Sequence, residues 1–217
     1  MTDAASSPRR ADARIAWQVG GSLLVAVALL RVVASNPPFP QFLSGVVADV
    51  LWCAALVVFA VGWRRAGSVV ARRPLGVTAL VVAGVAPLVL GIVGRLVVYP
   101  QDGSPDPGLL ALSYVSLLLP VVALVIGLVQ VARAGAVPRA VRWTPLVVVA
   151  VAVGVNVLVQ ILAVTPGMRG DELLVPYLFS QAVVTIGLAV VGILAIVQAP
   201  RAGGSPEADV QVYPPPA

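Results

Sequence analysis

The chain has 217 residues, 59% of them hydrophobic and only 11% charged, with a mean hydropathy of +1.01. A soluble domain carries about 25% charged residues, so this balance excludes an ordinary soluble fold and points to a membrane protein. The formal charge of +5 comes with no histidine and one cysteine, which excludes imidazole-held haem or zinc, Ser-His and Cys-His nucleophile pairs, HExxH proteases and an intramolecular disulfide.

Residues 1–14, MTDAASSPRRADAR, are polar and small and read as a disordered tail. Arg9, Arg10 and Arg14 precede an apolar run from Ile15 to Ala34. Its basic start and Ala-Ser exit are compatible with a cleaved signal peptide. The run is near the full length of a span and further spans follow, so an uncleaved anchor is the better reading. Five more runs follow: Gln41 to Trp63, Leu75 to Val98, Gly108 to Ala132, Thr144 to Thr165 and Leu173 to Gln198. Each is long enough to cross a hydrocarbon core of about 30 Å as a helix, and continuous apolarity favours helices over the alternating strands of a barrel. The expectation is an all-α polytopic membrane protein with a six-helix domain over 15–198. Pro87, Pro120 and Pro176 would kink three of the helices. Residues 199–217 are a second polar, proline-rich tail.

All basic side chains are arginine, so charge is read by position. Eleven arginines fall in the two tails and in the loops after the second and fourth runs, and one, Arg169, in the other three loops. This asymmetry predicts cytoplasmic termini in a bacterial plasma membrane. Trp17, Trp63 and Trp143 fall at the inner boundary, with Phe39 and Tyr99 near the outer one. Because the arginines sit in short loops rather than on one aromatic-lined face, nucleic acid is not an expected partner.

A weak repeat overlays this pattern. The tripeptide Arg-Ala-Gly recurs at 65–67, 133–135 and 201–203, and Arg31, Arg95 and Gln160 stand shortly before Pro37, Pro100 and Pro166. Three in-out-in hairpins stacked about a membrane-normal axis would produce it. So would the ordinary placement of arginine and proline at helix ends. A strict 68-residue count aligns Asp49 with Leu117 and Thr185, about one turn from the register that hairpin depth suggests.

The polar residues inside the spans supply the candidate sites. Arg31 and Asp49 lie nine residues on either side of Pro40, so an antiparallel hairpin sets them at one depth, where they can form a buried ion pair. Arg31 and Arg95 could instead snorkel to the headgroups, whereas the short side chain of Asp49 needs a partner or a proton. Trp52 and Cys53, three and four residues beyond Asp49, share its helical face. The same depth argument sets Arg95 against Ser113 and Tyr114, and Asn156 and Gln160 against Thr185 and Gln181. Such a polar layer reads first as interhelical hydrogen bonding, at about 0.6–2 kcal/mol per contact, and second as the lining of a solute path. Ala150 and Gly154 form one small-xxx-small step for close helix approach.

No motif names a substrate, a cofactor or a metal, and no catalytic residue is identified. The leading expectation is a non-catalytic membrane protein that packs against a membrane partner or binds lipid, including anionic lipid. The alternative is a transporter or channel subunit using Asp49 and the polar layer, and an enzyme comes last. An apolar bundle interior favours the first, a water-accessible cavity reaching Asp49 the second, and a cleft of convergent titratable groups the third.

Overall fold

The computed structural model describes residues 8–34, 41–63, 68, 70, 73–96, 107–135, 137, 141–163 and 173–202. These form six helices: α1 (Pro8–Ala34), α2 (Gln41–Val61), α3 (Pro74–Leu96), α4 (Pro107–Ala134), α5 (Thr144–Ala163) and α6 (Leu174–Ala202). All six are long and apolar enough to cross a membrane, so the protein is an all-α polytopic membrane protein. The elbow at Pro40 lies outside the described residues, as do residues 1–7 and 203–217.

Two boundaries differ from expectation. Residues 8–14, read as tail, are the first two turns of α1. Pro8 at the first helical position loses no intrahelical donor, and the alanines and arginines that follow are good helix formers. Similarly, α6 continues past Gln198 to Ala202. Pro176 also departs from its expected role, because it is the third residue of α6 and lies in the first turn, where an amide has no intrahelical acceptor to lose. Pro87 and Pro120 do fall inside α3 and α4.

Each helix packs on its neighbours in chain order and α6 returns to α1, which closes the six into a ring. The order is the one three stacked hairpins would give, but the seams are unequal: α1/α6 is the most extensive and α4/α5 the least. Helix α2 ends at Val61, whereas α4 and α6 run through Arg133 and Arg201, and the first tripeptide, 65–67, lies outside the described residues. Both α2 and α4 end on a glycine in the left-handed region, Gly62 at φ 78° and Gly135 at φ 69°. The Gly62 amide donates to the Val58 carbonyl at 2.8 Å, capping the last turn of α2.

Glycines set the close seams. A Cβ on Gly21 of α1 would come within 2.7 Å of the Gly192 carbonyl oxygen on α6, and one on Gly192 within 2.8 Å of the Gly21 oxygen. The two backbones therefore touch, the approach that lets helices associate in lipid without a hydrophobic driving force. Gly84 lets α3 meet the Cys53 backbone of α2, Gly127 of α4 receives Leu80 of α3, and Gly187 of α6 receives Val148 of α5. The α4/α5 seam has no such contact among the described residues. Gly154 on α5 has nothing within 4 Å, and α5 has no buried residue.

Candidate functional site

The centre of the ring holds an apolar cavity of about 130 Å³. Every helix contributes to its wall, among others Leu24, Leu56, Leu80, Leu128, Val148 and Leu188 from α1 to α6 in turn. Its lining comes from the early residues of α1, α3 and α5 and the late residues of α2, α4 and α6, so it occupies the arginine-rich end of the bundle. Val137 and Val141, from the connection between α4 and α5, line it at that end. Helices α4 and α5 both line the cavity yet scarcely pack on each other. A space of this size and chemistry takes an aromatic ring or a few carbons of an alkyl chain, and an apolar cavity of comparable volume stays free of water.

Trp17, Trp52 and Gln198 are the wall residues whose side chains carry a polar atom. Trp17 is buried, and its ring stands edge-on to Phe59 at 6.2 Å and 80°. The Trp52 indole N–H donates to the Ala83 carbonyl on α3 at 3.2 Å. That carbonyl would normally accept from residue 87, four positions on, but residue 87 is proline and has no amide hydrogen. The tryptophan on α2 thus satisfies the acceptor that the proline on α3 leaves open, inside a solvent that offers no other donor. Sequence reading set Trp52 on an interior face but could not link it to Pro87, since the link needs the α2/α3 register. Gln198 is buried and engaged in an interaction of its own.

Asp49 does not line this cavity, although Trp52, one turn away, does. The aspartate is half-buried and makes an interaction, and its Oδ2 lies 3.7 Å from where a Cβ would stand on Gly91 of α3. The missing side chain leaves room for the carboxylate against α3. Arg31, in the last turn of α1, is exposed. Position 95 follows Gly91 by four residues, so by register it is one turn further along the same face of α3. Cys53, on the Asp49 side of α2, faces the α3 backbone at Gly84.

The outer polar residues are spread rather than gathered. Ser113 donates to the Leu109 carbonyl of its own helix at 2.9 Å, and Ser116 to Ser113 at 2.8 Å. Tyr114 is 64% exposed. Gln160 is exposed, while Asn156, Gln181 and Thr185 are half-buried. Among the described residues no hydrogen bond joins these four across α5 and α6. The close approach of that pair is at Gly187 and Val148, and away from it Leu158, Ile161, Tyr177 and Phe179 are exposed.

One further residue carried no signal in the sequence beyond its loop position. Arg142, in the turn that leads into α5, holds its guanidinium carbon 5.7 Å from the centre of the Trp143 ring, and its Nε is buried without a hydrogen-bond partner. The turn is fixed by Thr144 N–H donating to the Val141 carbonyl at 3.1 Å and Val147 N–H to the Trp143 carbonyl at 2.9 Å. Among the described residues no group of three or more acidic or cysteine side chains has a spacing that could hold a metal ion. In comparisons with protein-family models, curated proteins and solved structures, nothing matches this chain.

Proposed function

We propose that this protein is a non-catalytic integral membrane protein that binds lipid, taking part of a lipid chain into the centre of its helix ring. The observation that carries this reading is the apolar cavity walled by all six spans and bordered by the weakly packed α4/α5 seam. Its depth within membrane-crossing helices makes lipid chains the apolar molecules with the readiest access. A transport reading would need Asp49 to open onto the cavity, and Asp49 lies outside the lining. The arginine asymmetry supports a bacterial cytoplasmic membrane with both termini cytoplasmic, an orientation that cysteine labelling from outside checks: positions 104 and 168 should react and position 68 should not.

Trp52 provides the main test, because it reports from the cavity wall. A variant retaining only this tryptophan, with Trp17, Trp63 and Trp143 replaced by phenylalanine, is reconstituted into bilayers whose acyl chains carry bromine. Chain entry should quench most of the Trp52 emission. Quenching should weaken markedly when the cavity is filled by Leu128→Phe with Val148→Phe. Emission as strong as in unbrominated bilayers would rule the reading out.

A further inference from the structure

Resting on the lipid-binding reading above, we infer that the bound molecule is a phospholipid whose chain enters between α4 and α5 and whose phosphate is held by Arg142. Three observations converge on this. First, Arg142 stands between two residues of the cavity wall, Val141 and Pro145, so its guanidinium and the cavity belong to one stretch of chain. Second, its Nε–H is removed from solvent and has no acceptor. A buried guanidinium N–H of this kind calls for an acceptor, and the planar cationic fork is matched best by an anionic one. Third, the cavity holds only a few carbons, so a long chain must continue outward, and the α4/α5 seam is where the ring is least closed.

The two halves of the site match the two halves of a phospholipid. Phosphate oxygens fit the planar fork of an arginine, whose N–H groups can donate in pairs. The Trp143 face, against which the guanidinium lies, and the first turn of α5 are consistent with headgroup depth, since tryptophan favours the interface and a helix N-terminus favours an anion. From that point the chain passes Pro145, Val148 and Val149 into the cavity. A neutral diacylglycerol would satisfy the wall but offer the guanidinium only uncharged ester and hydroxyl oxygens, without the charge and paired oxygens of a phosphate. A soluble phosphate would do the reverse.

The test measures retained lipid by native mass spectrometry on the full-length protein released from nanodiscs. Phosphatidylglycerol and diacylglycerol with identical chains are compared. The wild type should retain the phospholipid about tenfold better, which corresponds to about 1.4 kcal/mol. Arg142→Gln should bring phosphatidylglycerol down to the diacylglycerol level and leave diacylglycerol unchanged, whereas Arg14→Gln, at an exposed position on α1, should keep the preference. Arg142→Lys should restore it in part, because an ammonium still attracts phosphate as a point charge. If both lipids are retained equally and the Leu128→Phe/Val148→Phe filling displaces both, the cavity reading stands and the Arg142 assignment falls. If the filling displaces neither, the cavity reading falls too. Displacement of phosphatidylglycerol by millimolar glycerol phosphate, with no effect on diacylglycerol, would identify a soluble-phosphate site and overturn the inference.

Discussion

The α1/α6 and α4/α5 seams face the same lipid, and α4 and α5 are the most apolar helices of the six, yet α1/α6 is the most extensive contact of the ring and α4/α5 the least. Hydrophobicity cannot separate them, because in a bilayer an apolar side chain gains nothing by leaving lipid for protein. What differs is shape. Gly21 and Gly192 let two backbones touch, and dispersion contacts then accumulate along the crossing. Helix α5 presents Val147, Val151, Val157 and Leu158 outward, while its Gly154 meets nothing. The loose seam is where a mobile molecule can pass, and the tight ones preserve the ring around it.

The largest expected effect breaks the tight seam. Gly192→Leu places a side chain against the Gly21 carbonyl, a backbone atom that cannot rotate aside, and should destabilise the bundle by about 3 kcal/mol or more. Gly154→Leu should change stability by less than about 0.5 kcal/mol, since it enters open space. Both are read as the midpoint of unfolding in mild detergent. Equal losses for the two would show that glycine contacts do not distinguish the seams.

The next effect concerns the packed half of the ring, where Asp49 lies against α3. If the interaction of Asp49 is an ion pair with an arginine, Asp49→Leu leaves that arginine without its counter-charge and should cost about 2 kcal/mol, less than the 3–5 kcal/mol of a fully buried pair because Asp49 is half-buried. A second substitution identifies the partner: Arg31→Leu rescues if the pair spans α1 and α2, and Arg95→Leu if it spans α2 and α3. The direction of the carboxylate toward Gly91 favours Arg95. Losses that simply add in both double variants would mean that neither arginine is the partner.

Span number was legible from the sequence because length and apolarity are all a bilayer requires of a backbone. The early start of α1 was not, since the polar residues 8–14 carry no hydropathy signal. Equal depth on either side of Pro40 sets Arg31 and Asp49 level, but depth says nothing about azimuth, which the sequence does not give: one carboxylate oxygen stands 3.7 Å from the Cβ position of Gly91 on α3, and Arg31 is exposed. The same gap applies to Asn156, Gln160, Gln181 and Thr185, whose depth the sequence gives and whose azimuth it does not. Arg142 was counted only as one charge in a loop. Its buried nitrogen emerges only once the turn into α5 is built.

The smallest expected effect tests how the packed half tolerates its internal proline. Pro87 removes the donor that the Ala83 carbonyl would use, and the Trp52 indole supplies it from α2. Trp52→Phe should therefore cost about 1 kcal/mol for a carbonyl left without a donor in an apolar surround, beyond any change in packing. Pro87→Ala returns a backbone amide four residues from that carbonyl, so in its background the helix can satisfy itself. There the hydrogen-bond part of the Trp52→Phe penalty should vanish, and the two substitutions should couple by about the same 1 kcal/mol. Stability measurements on the four proteins give that coupling directly. A Trp52→Phe penalty of equal size with Pro87 and with Ala would mean that the indole contributes bulk alone and that α3 accommodates its proline by bending.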